Sequence, residues 1–275
     1  KGGIINRIKT DSSKRNFNFS TNNTGGINSF NILVFQSLFL ISKYFKASGK
    51  TYFLYRIFFI IDAFNMKYNF ITIEGNIGAG KTTLAHLLSK RLNARLILEE
   101  FADNPFLPKF YENQQQYAFP LELFFMAERY KQLKDLLQTK DMFQHVTVSD
   151  YLFTKCLLFA KVNLPEAEFL LYQKLFEIIN PQLVQPDLLI YLHAPVGKLK
   201  ENIRRRNRSY EQGIATEYLF ALQETYTQYI KQHNIKTLYI DASSSDFLGN
   251  ERHLNAVIEA LDKDFDEGQH YLQLP

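Results

Sequence analysis

Short apolar runs alternate with longer amphipathic segments along the chain from residue 66 onward. The runs are rich in Ile, Leu, Val and aromatic residues and are bounded by Gly, Pro or polar residues. This pattern is typical of strands that are buried on both faces of a parallel sheet. The five predicted strands cover 69–74, 95–100, 145–150, 187–194 and 236–243.

The segments between these strands repeat apolar residues at helical spacing, as Leu84, Leu88 and Leu92 do in the first of them. The predicted helices cover 81–93, 118–138, 166–184, 196–206, 215–233 and 250–265. Because strand and helix alternate five times, we predict an α/β fold with a doubly wound, five-stranded parallel sheet and helices on both faces. The domain is expected to span 66–265, and 266–275 to form a loose tail.

Residues 1–65 form a leader in which no strand or helix period persists. Its apolar run over 32–41 has ten residues, whereas a membrane span needs about 20. The first methionine of the chain is Met66, immediately before the first predicted strand. We therefore expect the leader to be translated upstream sequence or disordered, with Met66 as the true start. A targeting segment or membrane anchor is the alternative.

Charge and cysteine content narrow the class of protein. The net charge is +4, but the leader holds nine Lys/Arg and two Asp/Glu, which leaves 23 and 26 for residues 66–275. A domain without a basic surplus does not indicate a nucleic-acid partner. The single cysteine, Cys156, excludes a disulfide framework and favours a reducing compartment, which we take to be the cytoplasm.

A phosphate-binding loop lies between the first strand and the first helix. Gly75, Gly80, Lys81 and Thr82 match the pattern G-x-x-x-x-G-K-[ST], whose backbone N–H groups surround phosphate oxygens at the start of a helix. Lys81 is expected to reach the β- and γ-phosphates, and the Thr82 hydroxyl to ligate Mg²⁺. We predict that ATP binds to Gly75, Asn76, Ile77, Gly78, Ala79, Gly80, Lys81, Thr82 and Thr83.

Four arginines cluster after the fourth strand, at Arg204, Arg205, Arg206 and Arg208. Such a charge run on its own is usually a solvent-exposed face. In a phosphate-binding sheet it favours a closing lid, whose guanidinium groups stabilise a transferring phosphoryl group and whose closure excludes water. We expect Arg206 and Arg208 to act catalytically and Arg205 to be a candidate for a merely exposed residue.

A candidate base for an alcohol acceptor ends the second strand. Glu99 lies at the carboxyl edge of the predicted sheet, where doubly wound folds bind their ligands. A carboxylate there can accept the proton of a substrate hydroxyl. Without further support, a contact with solvent or with a helix N-terminus is the better explanation for a glutamate in this place.

The stretch EEFADNPFLPKFYENQQQYAFPLELFF (99–125), together with the phosphate loop and RRRNRSYEQ (204–212), resembles the deoxynucleoside kinase family, and its bacterial purine-preferring branch in particular. The resemblance covers residues 68 to about 245. It implies ATP- and Mg²⁺-dependent phosphorylation of the 5′-hydroxyl of a deoxynucleoside in nucleotide salvage, with Lys81 and Glu99 as catalytic residues. It also implies a homodimer built on long helices.

The same resemblance assigns the contacts of the nucleoside. Tyr111 and Glu211 match residues that hold the sugar 3′-hydroxyl, and Glu122 matches a glutamine that reads the base. The change from glutamine matters, because an ionised Glu122 only accepts hydrogen bonds. Guanine offers two neighbouring donors, so we expect a preference for deoxyguanosine. A protonated Glu122 would mimic glutamine and restore the usual preferences.

A second departure from the family lies at the end of the third strand. The family carries an acidic residue followed by Arg, whereas this chain has Ser149 and Asp150. The arginine is missing, and the acid is displaced by one position. Two roles remain open for Asp150: a ligand of Mg²⁺ through water, or the cap of a helix that starts at Tyr151. Arg129 or the lid arginines are candidates to replace the missing contacts.

Two further functions compete with the leading one. A nucleoside monophosphate kinase of the thymidylate kinase type needs added positive charge at its acceptor site, and the stretch 99–125 offers little beyond Lys109. A nucleotide-binding module without turnover is motivated by the arginine missing after Ser149. The leading prediction is a deoxynucleoside 5′-kinase.

Overall fold

A parallel sheet with helices on both faces forms the centre of a computed structural model that describes residues 66–99, 104–138 and 144–275, and it confirms the predicted fold class. The expectations for residues 1–65 lie outside the described residues. The strands are β1 (Phe70–Gly75), β2 (Arg95–Ile97), β3 (Thr147–Ser149), β4 (Leu188–His193), β5 (Thr237–Asp241) and β6 (Gln269–Leu272). Their order across the sheet is β2-β3-β1-β4-β5-β6, and all neighbouring pairs are parallel.

The sixth strand corrects both the predicted count of five strands and the predicted loose tail. β6 pairs with β5, so that Thr237 lies opposite Gln269 and Ile240 opposite Leu272. The N–H of Thr237 donates to the carbonyl of Gly268 at 2.8 Å. This strand has four residues at the edge of the sheet, and none of them is buried. It therefore carries no apolar run by which the sequence pattern could reveal it.

The helices that connect the strands agree with the predicted ones except for two short additions. The α-helices among the described residues are α1 (Lys81–Leu92), α2 (Leu107–Glu112), α3 (Gln114–Gln138), α4 (Lys155–Asn163), α5 (Glu166–Ile179), α6 (Val196–Arg206), α7 (Thr216–Gln232) and α8 (Glu251–Leu261). Helices α2 and α4 were not predicted. A 3₁₀ turn at Asn180–Gln182 follows α5, which ends before Pro181 and so is shorter than the predicted helix over 166–184. Because α4 begins at Lys155, Asp150 does not cap a helix starting at Tyr151, and that alternative is wrong.

The hydrophobic core lies on the two faces of the sheet. Ile71 and Ile73 of β1 are fully buried on one face, where they pack with side chains of α1, α6 and α8. Phe70, on the opposite face of the same strand, packs with α3, α4 and α5. Since side chains alternate between the faces of a strand, β1 joins the two halves of the core. No helix in the described part of the chain is both long and apolar enough to cross a membrane.

The carboxyl ends of β1, β2 and β3 meet at one edge of the sheet because these strands are neighbours and parallel. The phosphate loop follows β1, Glu99 lies two residues after β2, and Asp150 directly follows β3. Residues that are 50 or more positions apart in the sequence are thus brought together by the sheet topology. This is the edge at which doubly wound sheets bind ligands.

Candidate active site

The phosphate loop turns from β1 into α1 with a backbone that requires glycine. Gly78 has φ of 82° and Gly80 has φ of 94°, values that side-chain-bearing residues rarely adopt. A Cβ atom at Gly78 would also lie 2.8 Å from the carbonyl oxygen of Leu199, so the turn packs closely against α6. At Gly80 a Cβ atom would meet nothing within 4 Å. The loop therefore presents bare backbone at the start of α1, as phosphate binding requires.

Lys81, the first residue of α1, bends back over the loop. Its ammonium group donates to the carbonyl oxygens of Gly75 at 2.8 Å and Asn76 at 3.0 Å. Burial, and after it the positive charge of Lys155, lower the pKa of Lys81 to about 8. Lys81 and Lys155 line the same cavity, so two ammonium groups face this site.

Thr82 and Asp150 are joined by a direct hydrogen bond. The Thr82 hydroxyl donates to Oδ2 of Asp150 at 2.6 Å, and Oδ1 of the same carboxylate accepts from the Glu99 N–H at 2.8 Å. A hydroxyl and a carboxylate oxygen beside a phosphate loop are the kind of ligands that Mg²⁺ takes in nucleotide sites. These two residues therefore fit the predicted ion. The described residues contain no cluster of three or more His, Cys, Asp or Glu able to hold a metal. A Mg²⁺ ion held by few protein ligands is consistent with that finding.

Glu99 is held between two cations. Arg129 of α3 donates to Oε1 through Nε at 3.0 Å and through Nη2, and Lys155 of α4 donates to Oε2 at 2.5 Å. Burial on its own raises the pKa of Glu99, but Lys155 and then Arg129 outweigh burial and hold that pKa well below its usual range. Glu99 is therefore ionised, and both of its oxygens have a cationic partner.

The Lys155 contact was not predicted from the sequence. Arg129 was named as a candidate to replace the missing arginine, and the structure places it on Glu99 as that hypothesis requires. Lys155 is only 5% exposed, although it lies in the apolar stretch YLFTKCLLFA (151–160). A lone lysine in a buried run was the signal that could have revealed it, because buried lysines need a charged partner.

The nucleoside side of the cavity lies beyond Glu99, between α2, α3, α4 and the start of α7. Glu122 of α3 is 1% exposed, and its Oε1 accepts from Nδ2 of Asn163 at 2.6 Å. Its Oε2 is buried and has no hydrogen-bond partner among the described residues. Burial raises the pKa of Glu122 to about 7. Tyr111 stacks on Tyr210 with ring centroids 6.0 Å apart.

The predicted lid arginines converge on one carboxylate. Arg206 and Arg208 both form ion pairs with Glu211, the second at 3.2 Å from Nη1 to Oε1, and Glu211 is buried. Arg205 is exposed, as expected, and it lines the space over the phosphate loop together with Arg206 and Arg208. Its Nη2 donates to Asn202 at 3.3 Å.

The structure brings the predicted site residues to one cavity and the adjoining loop. The cavity is lined, among others, by Ile77, Lys81, Thr82, Glu99, Tyr111, Glu122, Asp150, Arg206, Arg208 and Glu211. The loop side is lined by Gly78, Ala79, Gly80 and Thr83. Gly75 and Asn76 lie outside both linings, and their carbonyl groups hold the Lys81 ammonium instead. The roles of these residues stay predictions, whereas their proximity is observed.

Comparisons with known proteins identify the family. The family model described as deoxynucleoside kinase matches residues 71–265. A deoxyguanosine kinase of Bacillus subtilis is 38% identical over 66% of this chain and 90% of its own length. A deoxyadenosine kinase of Dictyostelium discoideum is 33% identical over 66% of this chain and 75% of its own length. A deoxyadenosine kinase structure from M. mycoides shares the fold, with a TM-score of 0.63 at 23% identity, covering 70% of this chain and 100% of that one.

The matched region contains the phosphate loop, Glu99, the acceptor cavity and the lid arginines. The family model spans well over half of the chain, and the sequence similarity to curated relatives extends over most of their length. The chain therefore belongs to the deoxynucleoside kinase family and is a phosphotransferase that acts on a deoxynucleoside.

Proposed function

We propose that this enzyme transfers the γ-phosphoryl group of ATP to the 5′-hydroxyl of a deoxynucleoside, with deoxyguanosine preferred. The observation that carries the proposal is one continuous cavity with Lys81 and Thr82 at one end, Glu99 between, and Glu122 at the other end. That arrangement allows a nucleoside to place its 5′-oxygen near Glu99 while its base reaches Glu122. The nucleoside monophosphate kinase alternative is not favoured by the family match.

At the phosphate end, the protein has mainly to position and neutralise charge, since phosphoryl transfer proceeds through a loose transition state. The phosphate loop and Lys81 hold the β- and γ-phosphates, and Arg206 and Arg208 reach the transferring group from the lid. Thr82 and Asp150 would hold Mg²⁺, which neutralises charge on the phosphates when it is bound. The 5′-oxygen forms the new bond to the γ-phosphorus while the bond to the β-phosphate oxygen breaks and ADP leaves.

Glu99 accepts a hydrogen bond from the 5′-hydroxyl and so orients its lone pair toward the phosphorus. The hydroxyl proton passes to this carboxylate as the new bond forms. On the other side of the sugar, Tyr111 and Glu211 are proposed to hold the 3′-hydroxyl. Both side chains line the cavity, and the charge of Glu211 contributes, after burial, to a raised pKa of Tyr111, so the two groups are close.

The base preference rests on Glu122. Its unpartnered Oε2 is buried in the cavity wall, and an ionised carboxylate there pairs with the ring N–H and the exocyclic amine of guanine. Support also comes from the relative of B. subtilis, which is described as a deoxyguanosine kinase. Another B. subtilis relative, 29% identical, is described as a deoxyadenosine/deoxycytidine kinase, so the family itself does not fix the base.

A single transfer assay tests the proposal. Labelled ATP is incubated with Mg²⁺ and a panel of deoxynucleosides and deoxynucleoside monophosphates, and the products are separated. We expect deoxyguanosine monophosphate as the main product and a loss of transfer in Glu99→Gln. Binding of ATP without transfer to any acceptor would instead support a module without turnover, and full activity of Glu99→Gln would contradict the role of Glu99.

We propose further that the enzyme forms a homodimer through α5. Leu171, Leu175 and Ile178 follow helical spacing on that helix and are 54%, 37% and 65% exposed, so they form an apolar stripe on its surface. Light scattering is expected to give twice the chain mass of 32.2 kDa. The double variant Leu171→Glu, Ile178→Glu is expected to give the monomer mass. We retain the expected cytoplasmic location, since Cys156 is a buried free thiol.

A further inference from the structure

We propose that Lys155 is a positioning residue for phosphoryl transfer, which holds the Glu99 carboxylate in the orientation that faces the 5′-hydroxyl. The inference rests on the proposed function, because it assigns Lys155 a role through Glu99. It gives a role to Lys155, which belongs to neither the phosphate loop nor the lid. It also supplies a cation next to Glu99 from α4, in a chain whose third strand ends in Ser149 and Asp150 without an arginine.

The two cations on Glu99 divide its oxygens between them. Arg129 contacts only Oε1, through Nε and Nη2, and its remaining Nη1 donates to the Cys156 sulfur at 2.9 Å. Lys155 contacts only Oε2. A guanidinium fork favours bidentate pairing with both oxygens of a carboxylate. Without Lys155, the Glu99 carboxylate is expected to rotate onto Arg129 and away from the cavity.

Lys155 lies where such a role requires it. It is the first residue of α4, and its side chain lines the cavity shared with Lys81, Thr82 and Asp150. Its ammonium group also lies 5.4 Å from the centroid of the Phe159 ring. The charge of Lys155 acts on Lys81, whose pKa it lowers in addition to burial. Lys155 therefore contacts the Glu99 carboxylate and lines the same cavity as Lys81 of the phosphate loop.

Stability alone is a weak reason for this buried ion pair. Replacing a buried ion pair by apolar side chains is often neutral or stabilising, because removing two charges from water costs about as much as their attraction returns. Around Lys155 the packing of α4 is apolar, with Cys156, Leu158 and Ala160 buried. Apolar residues in place of both Lys155 and Glu99 would suit the fold at least as well, so the pair is better explained by a role for the Glu99 carboxylate than by stability.

The test is a double-mutant cycle on the full chain, measured with ATP, Mg²⁺ and deoxyguanosine. Lys155→Met keeps the length of the side chain and removes its charge, and we expect kcat to fall about 100-fold, the cost of misplacing a reacting group. The KM for ATP is expected to stay within about threefold of wild type. Lys155→Arg is expected to recover at least tenfold of the lost kcat. Lys161→Met, on the exposed side of the same helix, is the matched control and is expected to leave kcat unchanged.

The cycle with Glu99→Gln separates positioning from a structural role. If Lys155 acts through Glu99, adding Lys155→Met to Glu99→Gln lowers kcat little further. The inference would be overturned by losses of kcat that multiply in the double variant, by a kcat of Lys155→Met within threefold of wild type, or by no recovery of kcat in Lys155→Arg. If Lys155→Met does not fold, as judged by its melting temperature, the same cycle is run with Lys155→Gln. A wild-type enzyme that transfers phosphate to no deoxynucleoside would overturn the proposed function itself.

Discussion

The ionisation of Glu122 predicts that base preference changes with pH. Its carboxyl group has a pKa of about 7, raised chiefly by burial. Above that pH, the ionised group accepts the two donors of guanine. Below it, the protonated group offers one donor and one acceptor, as glutamine does, and suits adenine. Preference for deoxyguanosine over deoxyadenosine is therefore expected to rise with pH.

The size of the effect follows from the titration. A group with a pKa of 7 is about 10% ionised at pH 6 and about 90% ionised at pH 8. The ratio of kcat/KM for deoxyguanosine to that for deoxyadenosine is therefore expected to rise by up to about 100-fold over this range if each form of Glu122 reads only one base, because the first value rises about tenfold while the second falls about tenfold. A hydrogen bond to a charged group contributes about 1.5–3 kcal/mol, enough to make the two forms discriminate about tenfold or more.

A change in base preference between pH 6 and 8 can be assigned to Glu122 only if no neighbouring group titrates over the same range. The titratable groups that act on it or are affected by it come from several helices. They are Glu99, Tyr111, Arg129, Lys155, Cys156, Tyr172 and Tyr218. Burial raises the pKa of every tyrosine in this set and of the Cys156 thiol, and the neighbouring cations lower the pKa of Glu99, so these groups are not expected to titrate between pH 6 and 8.

The assay measures kcat/KM for both nucleosides at pH 6, 7 and 8 under saturating ATP and Mg²⁺. Taking the ratio of the two kcat/KM values cancels any effect of pH on the residues that bind ATP, because that effect is common to both nucleosides. Glu122→Gln cannot ionise and is the control, for which a flat ratio is expected. A flat ratio in the wild type, a ratio that falls with pH, or an unchanged slope in Glu122→Gln would refute the reasoning.

Three further predictions concern stability and metal dependence. The Glu122 carboxyl has a pKa of about 7 in the folded protein against an ordinary value of 4.5, so stability is lost as pH rises between these values. Glu122→Gln is therefore expected to gain up to about 3 kcal/mol at pH 8 but little at pH 4, measured by urea unfolding without substrates. Gly78→Ala would force φ of 82° and a clash with Leu199, and is expected to cost about 1–3 kcal/mol in the same measurement, whereas Gly197→Ala, with open space around it, is not. Asp150→Asn is expected to raise the Mg²⁺ concentration for half-maximal activity severalfold, and an unchanged requirement would contradict its assignment.

The pattern of the sequence predicted the parts of the fold that are buried on both sides. β1 and β4 are buried along nearly their whole length, so their apolar runs were unmistakable. Helix α4 was missed for a related reason: it packs against α3, α5 and α7, so it lacks the polar face from which helical period is read. β6 was missed because a short edge strand buries little.

The site was predictable where chemistry is local and not where it depends on tertiary contacts. The phosphate loop is a continuous motif, and Glu99 and Asp150 follow from the ends of strands. The partner of Glu99 on α4 is 56 residues away in the sequence, and no local spacing indicates that contact. Similarly, the Asn163 amide that holds Glu122 lies at the end of a helix that the pattern did not show.

Helix α4 links the two ends of the acceptor cavity. Lys155, Phe159 and Asn163 are four residues apart, so they lie on one face of the helix, and all three line the cavity. Lys155 holds Glu99 at the phosphate end, and Asn163 holds Glu122 at the base end. Asn163 lies eight positions after Lys155, which corresponds to a rise of about 12 Å along the helix axis. Because α4 contacts both carboxylates, we expect a substrate whose base does not reach Glu122 to bind with its 5′-oxygen displaced from Glu99, and therefore to show a lower kcat as well as a higher KM.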